Sequence, residues 1–365
     1  MPLLRPTVAE IDLTKLTRNL RKVHSQVGPQ TEILAILKAN AYGHGAVKLG
    51  QFIEENQLAN WFGVASVEEG IVLREAGLKT PILVLGSIYP FEAFEYAIKY
   101  DLSVTIASLA AAQAVCQLAE KLGKQARCHV KQDTGMGRIG TRRGGTMKTI
   151  EFLHKNPHAL LDGLYSHLSS VESNPAFTEQ QIGFFRDTLT NVKLKEISIP
   201  HVHIAASAAL VARPDAHYTL VRPGHSLYGL EPGYEPILSL KTRVVYVKDV
   251  PAGFSLSYNR SFMALQPMKI ATLPLGYGDG YMRALSNKAE VLIRGKRCRV
   301  LGNITMDMLM VDITGVEGAC VGDEVVVVGR QANEEVTLAE LANLAGTIDY
   351  EICTQLNARV PRVYK

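Results

Sequence analysis

Cysteine is scarce and unpatterned in this chain. Cys116, Cys128, Cys298, Cys320 and Cys353 lie far apart, are odd in number and form no C-x-x-C pair. That argues against a disulfide framework or a zinc knuckle and fits a reducing compartment. No stretch reaches the roughly 18 consecutive apolar residues of a membrane span. The opening MPLLRPTVAEIDL has an early Arg and acidic residues but no apolar core before a cleavage site, so no leader is expected and the protein is read as cytoplasmic. Blocks of one charge are missing too. Lys and Arg number 39 against 35 Asp and Glu, a net charge of +4, and the pairs Arg142-Arg143 and Lys296-Arg297 fall short of a nucleic-acid patch. There is no H-E-x-x-H and no Ser-His-Asp order, and the histidines are scattered, so neither a metal site nor a hydrolytic triad is indicated. No internal repeat and no low-complexity segment occurs.

What is present is a 365-residue chain, 47% apolar and 20% charged, long enough for two domains with a large core. Short apolar runs alternate with helix-like stretches from residue 30 to about 230. The runs are EILAIL (32–37), WFGVAS (61–66), PILVLG (81–86), LSVTI (102–106), RCHVKQD (127–133), LLDGLYSH (160–167), HVHIAAS (201–207) and TLVRPG (219–224). Eight strands interleaved with helices predict an α/β architecture, an eight-stranded parallel β/α barrel; a doubly wound open sheet would give a similar pattern. The segment LTKLTRNLRKVHSQV ahead of them reads as a helix packed on the barrel. Near residue 237 the pattern changes to strand after strand without long helices, which predicts a C-terminal, mostly β domain. The expected division is therefore 1–236 and 237–365. A late helix should start at Thr337, with Glu340 completing a capping box.

Active sites of such barrels form at the C-terminal ends of the strands. Lys38 ends the first run, in AILKANAYGHG. It is either a lysine that simply reaches solvent or an amine whose pKa burial lowers, making it an imine-forming nucleophile. KQDTGMGRIG, from Lys131 to Gly140, is either an anion site built from loop N–H groups and Arg138 or a glycine-rich turn with a surface arginine. His167 and Ser207 end two later runs, as reactive groups or as a structural hydrogen-bonder and a helix cap. VRPGHSLYG places Arg222, Gly224 and a short helix after the eighth run, where many barrels bind phosphate. In the β domain, SLSYNRSF and GNITMDMLMVD contain Tyr258 and Met306, core residues unless something else is known of them.

Taken together, AILKANAYGHG, HVKQDTGMGRIG, GLYSH, VRPG, LYG, SYN, LGYGDGY, NITMD and a terminal RVPR resemble, in order and spacing, the alanine racemase family, fold type III of the pyridoxal-phosphate (PLP) enzymes. The resemblance covers essentially the whole chain. It implies PLP as cofactor, held covalently by Lys38, which is also the base on one face of the substrate Cα. Tyr258, supplied by the second subunit of a homodimer, is implied as the base on the opposite face. Tyr42, Ser207 and the backbone around Gly224 hold the phosphate. Arg222 faces the pyridine nitrogen and bonds to His167. Arg138 lies near the phenolic oxygen and the substrate carboxylate, beside Lys131, which some relatives carbamylate. Met306 of the partner offers its backbone N–H to the carboxylate, and Tyr277, Arg283 and Glu172 line the entrance.

The implied activity is racemisation of alanine by two bases, supplying D-alanine for peptidoglycan. An arginine at the ring nitrogen donates no proton, so the ring is a weaker electron sink than with an aspartate and side reactions are suppressed. The chain departs from common family patterns at Ala206, Thr305, Asn259 and Ala358, where Asn, Cys or Ser, Gly and Tyr are frequent. The alternatives are a serine or broad-spectrum racemase, a barrel-plus-β decarboxylase and a non-catalytic PLP carrier. LEPG (230–233) echoes a decarboxylase phosphate motif but is followed by Tyr234 in place of Arg. The carrier would lack the β domain.

Overall fold

A computed structural model describes residues 4–142 and 144–365, so the first three residues and Arg143 lie outside it. The chain divides into two compact units. One comprises Thr17–Ala41 and Ala46–Glu235; the other comprises the chain up to Leu16, Tyr42–Gly45 and Pro236–Lys365. The chain thus passes between units on both sides of a four-residue segment that starts four positions after Lys38.

The N-terminal strand β1 (Val8–Ile11) pairs antiparallel with Leu238–Arg243 and parallel with Arg362–Tyr364, inside the mostly β unit. The sheet of that unit runs, in spatial order, Tyr246–Val250, Met268–Leu273, Leu309–Asp312, Lys296–Leu301, Glu290–Ile293, Glu324–Gln331, Leu238–Arg243, β1 and Arg362–Tyr364. Thr337 caps the helix Leu338–Ala345 as expected, accepting from Glu340 N at 3.0 Å. The Glu340 carboxylate turns to Arg297 at 2.7 Å instead of closing a box, because a charged fork offers the stronger bond.

The other unit is built on β2 (Glu32–Ile36), β3 (Trp61–Val64), β4 (Ile82–Val84), β5 (Ser103–Ile106), β6 (Ala126–Lys131), β7 (Ala159–Tyr165), β8 (His201–His203) and β9 (Leu220–Val221). Each falls within one of the eight apolar runs or overlaps it. Neighbours pair in parallel from β2 through β8, and β9 pairs with β2. Between β8 and β9 the ring is closed by Thr219 N to Val202 O at 3.2 Å, Arg222 N to Ala205 O at 3.0 Å and a bridge between Ala206 and Arg222. The eighth run is mostly not regular strand, since Pro223 and Gly224 end it early. Helix Leu13–Val27 precedes the barrel, and its Asn19 donates to Leu227 O at 3.1 Å and Glu235 O at 2.8 Å. Ser66, Ser108 and Asn174 cap three of the barrel helices through their side chains. Among the described residues no helix is long and apolar enough to cross a membrane.

Strand alternation sends every second side chain into the barrel. On β6 these include His129 and Lys131, on β7 Gly163 and Tyr165, and on β8 His201 and His203. Gly163 pairs with His129 across β6 and β7. A methyl group on Gly163 would stand 2.1 Å from His129 Nδ1 and 2.5 Å from Cε1. This position is therefore reserved for glycine by the ring beside it. Gly163→Ala is expected to destabilise the protein by about 1–3 kcal/mol through overpacking, read as a lower urea midpoint at unchanged slope. An unchanged midpoint would mean that the ring moves aside freely.

Candidate active site

Lys38 leaves the end of β2 just after Leu37, whose N–H is fixed on Gly63 O at 2.8 Å. The next four residues, Ala39, Asn40, Ala41 and Tyr42, have φ of 52°, 52°, 55° and 52°. They make a left-handed turn with no glycine in it. Three bonds hold it: Ala39 N to Glu69 Oε1 at 2.7 Å, Ala41 N to Leu37 O at 2.7 Å, and Ala46 N to Asn40 Oδ1 at 2.8 Å. Burial pushes the Lys38 amine below its ordinary range; Arg138 adds to that, Glu69 opposes it and Arg222 adds again. Lys38 is half-buried, with both Arg138 and Arg222 acting on its amine.

Lys131 ends β6 and is buried, its Nζ 5.1 Å from the ring centre of Tyr165. Burial is the main cause that pushes it down to about 7, with Arg222, Arg138 and Lys38 adding and Asp133 opposing. Arg222 follows β9 and lies over the same ring, its Cζ 5.3 Å from the centre. It donates to Ser166 O at 2.8 Å, Ile204 O at 3.1 Å and His203 Nδ1 at 2.7 Å, and Nη2 is 3.4 Å from His167 Nδ1. Burial pulls the guanidinium down to about 10, so it stays charged at neutral pH. His167 is driven to about 3, first by burial and then by Arg222, Lys131, Arg138 and Lys38. It is a neutral imidazole among four basic side chains.

The glycine-rich loop after β6 is folded around its own aspartate. Asp133 Oδ1 accepts from Gly135 N and Gly137 N, each at 3.0 Å, and Oδ2 accepts from Arg142 Nε at 3.0 Å. The N–H groups of Gly135 and Gly137 are thereby taken up inside the loop. What it offers a ligand is the exposed Arg138 side chain.

Ser207 and Gly224 are brought together directly. Ser207 Oγ accepts from Gly224 N at 3.0 Å and Ser226 N at 3.2 Å, which leaves its own O–H to donate. Ala206 precedes it and caps nothing with its side chain. Lys38, Lys131, Arg138, His167, Ser207, Arg222 and Gly224 all belong to the barrel unit, and Tyr42 belongs to the other. The Tyr42 ring stands edge-on to Tyr350 at 6.4 Å, and burial raises its phenol.

Tyr258 and Met306 are in the mostly β unit. Neither is core. Tyr258 is 71% exposed on a tight turn where Ser257, Asn259 and Arg260 have positive φ, and Met306 is 53% exposed. Asn303 Nδ2 holds Tyr258 O at 3.0 Å, while Met306 O accepts from Gly278 N at 2.8 Å.

Several members of the site were not singled out from sequence. Tyr165 is the floor under Lys131 and Arg222, its ring stacked on His203 at 4.7 Å and 4°. His203 and the carbonyls of Ser166 and Ile204 hold Arg222. The signal was present in the alternation of HVK, GLYSH and HVH, which puts these side chains on one face of adjacent strands.

As a whole, four basic side chains meet with little countercharge, and the two lysines are pushed toward their neutral forms. The carboxylates acting on them are Glu69 and Asp133, already occupied by the backbone of Ala39 and Ala65 and by Gly135, Gly137 and Arg142. Such a site suits a ligand with several anionic groups.

Two family models match the sequence: alanine racemase, N-terminal domain, over residues 11–232, and alanine racemase, C-terminal domain, over residues 237–364. The alanine racemase of Carboxydothermus hydrogenoformans is 43% identical, over 99% of this chain and 100% of the relative. That of Halothermothrix orenii is 39% identical, over 99% and 97%. Among solved structures, alanine racemase of Clostridium difficile 630 superposes with a TM-score of 0.94 at 35% identity, covering 100% of this chain and 96% of that one. The E. faecalis enzyme gives 0.93 at 33%, covering 100% of both. With the barrel, the strand-end lysine and these likenesses in agreement, the chain belongs to the alanine racemase family of isomerases.

Proposed function

We propose that the protein is a PLP-dependent alanine racemase acting as a homodimer in the cytoplasm, with a two-base mechanism that supplies D-alanine for peptidoglycan. The observation that carries this reading is the meeting of Lys38, Lys131, Arg138 and Arg222 at the strand ends around a lysine whose amine is pushed toward its neutral form. The donor set fits PLP. Lys38 would hold it covalently, the Ser207 hydroxyl, Tyr42 and the backbone around Gly224 would take the phosphate, Arg138 the phenolic oxygen and Arg222 the ring nitrogen. PLP bound there supplies an electron sink for the Cα carbanion.

The chain's own residues do the rest. Lys38 serves one face of Cα. The phenol of Tyr258, exposed on its own chain, is suited to serve the other face in a second copy, and the exposed Met306 backbone to orient the carboxylate there. Arg222 stays protonated and passes no proton to the ring. Neutral His167 adds no further charge. Both the dimer and the cofactor follow from the family likeness.

The deciding experiment is a chiral product assay on the PLP-loaded enzyme over a panel of L-amino acids. D-Alanine should dominate, and serine should react with kcat/KM within about a hundredfold of alanine, because an apolar pocket rejects an added hydroxyl weakly. Borohydride should fix a pyridoxyl group on Lys38 and Lys38→Ala should abolish racemisation; a reduced adduct on another lysine would overturn the assignment.

Tyr258→Phe removes one of the two proton-transfer groups. Racemisation should fall at least a hundredfold, within the roughly 10²–10⁴ expected of a general base, while PLP binding measured by absorbance is unchanged. A loss of tenfold or less would make the phenol a packing group.

Lys131 at about 7 is largely neutral above that pH, and a neutral amine adds carbon dioxide. A carbamate there would give Arg138 and Arg222 an anion. Enzyme equilibrated with ¹³C-bicarbonate should show a carbamate carbon resonance above neutrality, lost on acidification and absent from Lys131→Ala. No resonance in the wild type at any pH would show that the lysine stays an amine.

A further inference from the structure

Behind Arg222 a line of polar groups runs through the barrel interior, and the reaction described above does not use it. Arg222 Nη1 is 2.7 Å from His203 Nδ1. His203 Nε2 is 3.1 Å from His129 Nδ1. His129 Nε2 faces Asp162 Oδ2 at 3.9 Å, beyond hydrogen-bond range, and neither atom has a hydrogen-bond partner among the described residues. Both imidazoles are 0% exposed and Asp162 is 5% exposed. Beyond them, His201 Nδ1 donates to the Asp162 backbone O at 2.9 Å with Asp162 Oδ1 3.3 Å away, His201 Nε2 is 3.3 Å from Glu32 Oε2, and Trp61 Nε1 donates to that same oxygen at 3.1 Å. Arg127 Nη1 approaches Asp162 Oδ2 at 3.7 Å from the surface side.

The Arg222 end fixes the direction of both hydrogen bonds in this line, and the Asp162 end adds a negative charge facing the last ring nitrogen. A guanidinium only donates, so His203 Nδ1 must accept. Burial keeps both rings neutral: it drives His129 to about 3 and His203 well below its ordinary range. A neutral imidazole has one N–H and one lone pair. His203 therefore carries its proton on Nε2 and donates to His129 Nδ1. His129 in turn carries its proton on Nε2, aimed at a carboxylate that only accepts. His201 is different. Burial opposes its charge, but Asp162 and Glu32 together raise it to about 10, so it is an imidazolium held between two carboxylates.

We propose that Asp162 and His129 are positioning residues for Arg222. The carboxylate charge, 3.9 Å from His129 Nε2, favours an N–H over a lone pair there, His129 Nδ1 then accepts from His203 Nε2, and His203 Nδ1 remains the acceptor that holds Nη1. This rests on the reading of Arg222 as the group at the cofactor ring nitrogen. The arrangement needs no second charge beside the guanidinium. A carboxylate placed directly on Arg222 would neutralise the site; one placed two rings away orients the guanidinium and leaves its charge for the ligand.

The same cluster offers a competing use. His129, Asp162 and His201 present ligand atoms within 4.8 Å of one another, a spacing that a metal ion could occupy. A metal on His129 Nε2 would force the proton to Nδ1, against His203, and one ring further would set an N–H against the Arg222 donor. The bond of 2.7 Å between Arg222 and His203 favours the tautomer chain.

Asp162→Asn is the discriminating change. Its carbonyl oxygen stays on His201⁺, which turns the amide NH₂ toward His129 Nε2. Two donors cannot face each other, so His129 shifts its proton to Nδ1, His203 does likewise, and the Arg222 bond is lost. Neutron diffraction of the PLP-loaded wild type should place deuterium on Nε2 of His129 and His203 and none on Nδ1. In Asp162→Asn both should move to Nδ1, with Arg222 Nη1 drawn away from His203. The variant's kcat should fall about 10–100-fold, the range for outer-shell orienting groups, with KM for alanine within about twofold. In an Arg222→Lys background the same change should cost nothing further, since a residue acting through another is non-additive with it. Deuterium on Nδ1 of either wild-type ring, a metal ion between His129 and Asp162, or an additive loss in the double variant would each overturn the proposal. The wild-type measurement needs neither the variant nor turnover. It therefore stands if Asp162→Asn fails to fold, and it is separate from any failure of the racemase reading itself.

Discussion

Positive charge crowded into a half-buried site is the constraint that organises the barrel end. Four basic side chains compete for charge there, and repulsion and burial push the two lysines toward their neutral forms. The surroundings answer with acceptors that carry no net charge. Arg222 is met by two carbonyl oxygens and an imidazole. The Tyr165 ring lies under both Arg222 and Lys131, giving each the face of an aromatic quadrupole. Carboxylates are kept at one remove, with Glu69 and Asp133 bonded to backbone N–H groups. The free energy of the unrelieved repulsion is what an anionic ligand recovers on binding.

The barrel was legible because each strand is a short apolar run between polar segments, and burial on both faces demands that pattern. Lys38, His167, Ser207 and Arg222 were legible because they interrupt or end such runs. The residues behind them were not. His129, Asp162, His201 and His203 sit inside the runs, and only strand pairing shows that they form one line. In the glycine-rich loop, sequence gives the number of N–H groups but not where they are spent, and Asp133 takes those of Gly135 and Gly137. The Thr337 box was half right because Arg297, distant in sequence, competes for Glu340.

Position along the chain also concealed which unit a residue would join. β1 precedes every barrel strand yet pairs with Leu238–Arg243 and Arg362–Tyr364. Its VAEI sequence alternates in burial, as a strand does, but alternation alone does not name a partner. Tyr42–Gly45 shows the same effect at smaller scale. Arg362 Nε donates to Gly43 O at 2.8 Å, and Tyr364 OH to His44 O at 3.0 Å, so the last residues of the chain bind a segment more than three hundred positions earlier.

The left-handed turn after Lys38 turns chirality into a rule about spelling. For an L-residue this hand costs about 1–2 kcal/mol, the β-carbon meeting the following carbonyl. Ala39, Asn40 and Ala41 are small or tolerant of that hand, and a β-branched residue would suffer most there. The alphabet available next to the lysine is therefore narrow for a reason unrelated to anything those side chains touch. Variation in this stretch is filtered by the mirror image of the helix it forms, before any ligand is consulted.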